Sequence, residues 1–104
     1  MLPSFLAQQP EKILFFADPG HGWLRVARSE LVKHQIESKV SAYSYQSCDG
    51  RFVYLEEDCD LAAYLNALEL DQESFRAWFK DVPRIYDDDE ILRNSDSLER
   101  YRPA

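Results

Sequence analysis

His21 is the residue best suited to chemistry near neutral pH. It sits in the run Asp18-Pro19-Gly20-His21-Gly22-Trp23, where an imidazole with an ordinary pKa of about 6.5 is held on a loop close to an acid. A histidine so placed serves as a general base or as a ligand. The same run also reads as a plain hairpin tip, with Pro19 fixing φ and Gly20 and Gly22 available for positive φ. A second set of candidates is Glu56, Glu57, Asp58 and Asp60, where a strand hands over to a helix. These carboxylates suit a hard cation such as Mg²⁺ or Ca²⁺. They equally suit a helix N-terminus, whose dipole stabilises an acid by about 0.3–1 kcal/mol. Strand alternation puts Glu56 and Asp58 on one side and Glu57 on the other. Should His21 stand beside these acids, the cluster becomes a candidate metal site.

Other reactive residues are less directive. Asp87-Asp88-Asp89-Glu90 lacks the glycine and terminal glutamate spacing of a Ca²⁺ loop. It reads as a solvated run or as a contact for a basic groove. Cys48 and Cys59 have no histidine close in sequence to pair with. A position at a helix start would lower the pKa of Cys59. No Gly-x-Ser-x-Gly, His-Glu-x-x-His or Cys-x-x-Cys motif occurs, nor a phosphate-binding glycine loop. No cofactor is implied. Tyr43, Tyr45, Phe52 and Tyr54 fall on one strand face, where they would stack single-stranded bases or form half of a core.

The elements that must carry these groups can be read from periodicity. Ile13 to Ala17 is a continuous apolar run suited to a strand covered on both faces. Trp23 to Ala27 alternates as a second strand, hairpinned to the first. Ser29 is the expected N-cap of a short helix with Leu31, Val32 and Ile36. Val40 to Ser47 and Phe52 to Glu57 flank Asp49-Gly50, a strong hairpin signal. A two-residue turn there pairs Tyr45 with Tyr54. Leu61, Tyr64, Leu65 and Leu68, then Phe75, Trp78, Phe79 and Val82, mark two amphipathic helices. Asp60 and Asp71 are their expected N-caps, and Pro83 ends the second. Residues 84–104 are polar, with Ile85, Ile91, Leu92, Leu98 and Tyr101 as anchors. The expected architecture is a single α+β domain of order ββαββαα, an antiparallel sheet of about four strands packed on two or three helices. Residues 1–11 form an extension, 12–83 the core domain, and 84–104 an acidic tail packed on or near it. The core is expected to draw on Ile13, Phe15, Leu24, Val26, Val53, Leu55, Leu61, Leu65, Leu68, Phe75, Trp78 and Phe79.

The chain has 104 residues, 12 Lys+Arg and 19 Asp+Glu, for a net charge of −7. Residues 1–55 hold six bases and five acids, whereas residues 56–104 hold six bases and 14 acids. The second half is therefore strongly acidic, which keeps the protein soluble or meets a basic partner. Such a balance argues against direct binding of duplex DNA. Met1 to Pro10 has no basic, long apolar leader, and no run approaches the roughly 18 apolar residues of a membrane span. Cys48 at a hairpin tip and Cys59 beyond the returning strand should lie on the order of 20 Å apart. That exceeds the reach of a disulfide, about 7 Å between Cα atoms, so two free thiols and a reducing compartment are expected.

Several blocks carry a resemblance: Phe15-Phe16-Ala17-Asp18-Pro19-Gly20-His21-Gly22-Trp23-Leu24, Arg28-Ser29-Glu30-Leu31, Tyr43-Ser44-Tyr45-Gln46, and Tyr54-Leu55-Glu56-Glu57-Asp58-Cys59-Asp60. Over roughly residues 13–68 the chain resembles a family of short proteins of bacterial phages, prophages and plasmids. The family's basic C-terminal end is replaced here by Asp87-Asp88-Asp89-Glu90, with only Arg93, Arg100 and Arg102 nearby. The resemblance implies a mobile-element origin in a bacterial cytoplasm and assigns no activity.

Together these features give three expectations. The first is a non-enzymatic inhibitor of a host defence complex. Its acidic groups, Glu56, Glu57, Asp58, Asp60, Asp87, Asp88, Asp89 and Glu90, would mimic nucleic acid against a basic protein or protein–nucleic-acid partner. The second is a small metal-dependent or acid–base enzyme using His21 with Glu56, Glu57 or Asp58. The third is a homo-oligomeric structural protein, a homodimer being the simplest form. Proximity of His21 to the acids favours the enzyme; a continuous acidic face favours the mimic.

Overall fold

The computed structural model describes residues 13–103; the expected extension at 1–11 lies outside the described residues. In chain order the elements are β1 (Leu14–Ala17), β2 (Gly22–Ala27), α1 (Arg28–Lys33), a 3₁₀ turn (Glu37–Lys39), β3 (Tyr45–Ser47), β4 (Phe52–Glu56), α2 (Leu61–Ala67), α3 (Gln72–Lys80), β5 (Arg84–Tyr86) and β6 (Leu98–Arg100). The radius of gyration, 12.9 Å, is that of one domain of this length. The α+β class is as expected. The sheet is larger than expected and mixed: six strands in the order β5-β1-β2-β4-β3-β6. β5 runs parallel to β1, and every other pairing is antiparallel.

Alternation along the strands divides the core in two. Phe15, Leu24, Val26, Val53 and Leu55 face the helical side, where Leu31, Ile36, Val40, Leu61, Tyr64 and Val82 complete a buried cluster. Leu14, Phe16, Trp23, Tyr45 and Tyr54 face the other way and are covered by Leu92 and Leu98. The continuous apolar run of β1 thus serves both faces. Of the expected core residues, Ile13, Leu65, Leu68, Trp78 and Phe79 pack only partly buried against the first cluster. Phe75 is partly exposed, and α3 buries no residue fully.

The β3–β4 hairpin keeps the expected register, Tyr45 opposite Tyr54. Its turn is closed by the Gly50 N–H donating to the Ser47 carbonyl at 2.8 Å, with Gly50 at φ 75°, a conformation that glycine adopts without a Cβ penalty. Asp71 caps α3, its side chain accepting from Ser74 N–H at 2.7 Å. Two other expected caps are corrected. α1 begins at Arg28 after Ala27 with no side-chain cap, so Ser29 lies inside the helix. Asp60 precedes α2 without capping it, because its carboxylate is used elsewhere. The segment 84–103 is part of the fold: β5 and β6 form the two edges of the sheet. No helix among the described residues is long and apolar enough to cross a membrane.

Candidate functional site

β2 pairs with β4 so that Trp23 lies opposite Glu56. This register brings the loop before β2 alongside the turn after β4, with Glu57 N–H donating to the Gly22 carbonyl at 2.9 Å. His21 and the acid cluster, distant in sequence, therefore meet. His21 Nδ1 lies 3.3 Å from Glu56 Oε1.

Each partner is held from behind. Asp18 Oδ1 accepts from Gly20 N–H at 2.9 Å and His21 N–H at 2.8 Å, and Asp18 N–H donates to the His21 carbonyl at 2.9 Å. The loop is thereby a closed turn with the imidazole at its exit. Neither Gly20 nor Gly22 takes positive φ, contrary to the expectation for this loop. Gly22 answers to space instead: a Cβ there would fall 2.4 Å from Phe15 Cζ and 2.9 Å from Glu57 Oε2. Glu56 is buried. Its Oε2 accepts from Asp58 N–H and Cys59 N–H, each at 2.9 Å, leaving Oε1 toward His21.

These groups border a cleft of about 280 Å³. Trp23, Tyr43 and Tyr45 supply its aromatic wall; Asp58 and Cys59 lie on the acid side, and Arg93 and Arg100 stand opposite in charge. The Arg93 guanidinium lies 5.7 Å from the Trp23 ring centre and that of Arg100 4.7 Å from Tyr45, within cation–π range. Arg93 also forms an ion pair with Asp18 at 3.0 Å and a second with Glu90. His21, Glu56 and Asp58 each offer one ligand atom, all within 4.8 Å of one another, so one nitrogen and two oxygens are available to a cation.

The remaining acids divide by burial. Asp60 is buried and takes the Ser41 N–H at 2.9 Å, the Ser41 hydroxyl at 2.7 Å and the Ser44 hydroxyl at 2.5 Å. Asp87 is buried and accepts from Ile91 N–H at 2.8 Å and Leu92 N–H at 2.9 Å. The buried carboxylates of Glu56, Asp60 and Asp87 are thus engaged by internal donors. Glu57, Asp58, Asp88 and Asp89 are exposed, and Glu90 is half-buried beside Arg93. Burial, then the neighbouring Asp58 and Glu56 charges, raise the Glu57 carboxyl above its ordinary value.

Cys48 and Cys59 are free and exposed. The Cys59 thiol is raised, not lowered: its hydrogen bond to Glu56 comes first, with burial and the surrounding acids adding to it. The aromatic strand face is not a stacking platform. Tyr45 and Tyr54 are buried under Leu92 and Leu98, Phe52 packs partly buried with them, and Tyr43 alone stands out, at the cleft.

Trp23 belongs to the candidate loop read from the sequence, whereas Arg93 and Arg100 are not site candidates there. The two arginines come from the segment read as a tail, and nothing local marks their return to this loop. No family model matches the chain, and no curated protein or solved structure matches it.

Proposed function

We propose that the protein is a small enzyme working at this cleft, with His21 as the proton-transferring group and Glu56 as the carboxylate that orients it. The observation that carries the reading is the approach of His21 Nδ1 to the buried Glu56 Oε1 at 3.3 Å. With Nδ1 protonated, the imidazole donates to Glu56 and its Nε2 is the base. The two remaining backbone bonds to Glu56 keep the carboxylate from turning away. Aromatic walls and facing arginines suit a small ligand that combines an apolar body with a polar group. The reaction class this favours is proton transfer or hydrolysis at a polarised bond.

The test is a panel of chromogenic carboxylic-ester, phosphate-ester and amide substrates, assayed with wild type, His21→Ala and His34→Ala. A positioned base contributes about 100-fold or more, so His21→Ala should remove turnover to that extent while His34→Ala retains it. Absence of turnover across the panel, or turnover indifferent to His21→Ala, counts against the reading.

A second reading keeps the acidic inhibitor of a host complex. It draws on the exposed Glu57, Asp58, Asp88 and Asp89, a smaller set than the acid count suggests. Such a complex should be captured at low salt and released at high salt.

A further inference from the structure

We propose that His21, Glu56 and Asp58 hold a divalent cation of the zinc class at the cleft. The proposal rests on the cleft being the working site and replaces the Nδ1–H···Oε1 bond by a shared ion: in the loaded protein His21 is a ligand, and a water on the ion takes over as the base. Its test measures binding alone, so the cleft can remain the working site if no ion binds. The donor set chooses the ion class. Mg²⁺ and Ca²⁺ favour all-oxygen shells, whereas an imidazole joined to carboxylates suits Zn²⁺ and its transition-metal neighbours.

Spacing supports the same conclusion. Two ligands bound at about 2.1 Å in a tetrahedral shell lie about 3.4 Å apart. The His21 Nδ1 to Glu56 Oε1 separation is 3.3 Å, close to that value. The third donor, on Asp58, belongs to a group spanning up to 4.8 Å, wider than two ligands at about 2.1 Å from one ion can reach, so this exposed side chain must swing in to bind.

The outer support of a metal site is also built. Ligating carboxylates are commonly fixed by hydrogen bonds of their own, as Glu56 Oε2 is by Asp58 N–H and Cys59 N–H. The loop bearing His21 is fixed through Asp18, which Arg93 holds in turn. The adjacent charges of Glu56, Glu57 and Asp58 repel one another, and a dication offsets that repulsion. The cleft of about 280 Å³ leaves room beyond a protein-ligated ion for water or a small ligand. A cation bound there would acidify such a water and polarise a ligand oxygen.

The experiment is calorimetric titration of the metal-stripped full chain with Zn²⁺ alone. One equivalent should bind. His21→Ala and Asp58→Asn should each weaken binding at least about tenfold, while His34→Ala leaves it within about threefold of wild type, well under the tenfold loss expected at a ligand. Both ligand variants replace exposed side chains, and thermal melts confirm that they fold. No zinc binding by wild type overturns the proposal. So does binding that survives both ligand variants, or that is lost in His34→Ala.

Discussion

Arg93 Nε stands 3.0 Å from Asp18 Oδ2, an ion pair that closes 75 residues of chain. The Asp18 side chain is wholly buried, while Arg93 keeps 30% of its side chain exposed. Through Asp18 Oδ1 the same contact reaches the His21 backbone N–H. The C-terminal segment thus helps to fix the loop that presents the imidazole.

Arg93→Ala should therefore act on both stability and site geometry. It leaves a buried carboxylate short of its counter-charge, at a cost of about 2 kcal/mol. Thermal melting should fall by roughly 8 °C or more for a domain of this size. The His21 ring signals in an NMR spectrum should shift as well. Arg93→Lys should recover part of the stability, because it restores the charge without the planar fork. Unchanged melting and unchanged His21 signals in Arg93→Ala would remove this account.

Leu92 gives the second prediction. It is fully buried among Leu14, Phe16, Trp23 and Tyr54, on the sheet face opposite the helices. Leu92→Ala should cost about 3 kcal/mol, in the range of large-to-small core changes. The urea midpoint should drop accordingly, with the transition remaining single. A cost below about 0.5 kcal/mol, typical of surface sites, would mean that residues 87–97 are not part of the core.

How much of this was legible follows from the range of each interaction. The Asp49-Gly50 hairpin and its Tyr45–Tyr54 register are local, and short-range turn chemistry sets them. The cap at Asp71 is local too. β5 and β6 are three residues each, too short to show alternation, and they exist only because an edge of the sheet receives them. Asp60 carries the residue type of an N-cap, yet Ser41 and Ser44, distant in sequence, claim its carboxylate. Glu56 and Asp87 looked like surface acids for the same reason: the donors that bury them are set by turns that composition does not reveal. The meeting of His21 with Glu56 had one usable signal. Had β2 been paired with β4 in the register Trp23–Glu56, the loop before β2 would have fallen beside the acid turn.

Asp60 gives the third prediction. Its three hydrogen bonds pin Ser41 and Ser44, and Ser44 Oγ in turn accepts from Glu56 N–H at 2.9 Å. Asp60→Ala should cost about 3 kcal/mol, since bonds to a charged acceptor are worth about 1.5–3 kcal/mol each and do not add fully. Hydrogen exchange should quicken at Ser41 and Glu56. Asp60→Asn should fall between, because an amide retains one acceptor oxygen. Exchange unchanged at both amides would show that Asp60 does not hold this wall of the cleft.

Alkaline pH gives the fourth prediction, through three phenols raised by burial, Tyr64, Tyr54 and Tyr101. Tyr64 is raised well above the ordinary value near 10, by burial first and then by its bond to Glu30, 3.0 Å away. Tyr54 is also raised, by burial, with Arg25 acting in the opposite direction. Above pH 10 the unfolded chain gives up these protons before the folded one does, so the folded state binds more protons and stability falls as pH rises. The contribution is whole below the ordinary phenol value of about 10 and is lost through the higher folded values. The urea midpoint should therefore carry no tyrosine-driven change between pH 7 and about 9 and should decline beyond. Tyr64→Phe should lower the neutral-pH stability by about 1 kcal/mol for the lost hydrogen bond. The same variant should make the alkaline decline shallower, because one titrating group has gone. An alkaline decline as steep in Tyr64→Phe as in wild type would place its origin in other groups.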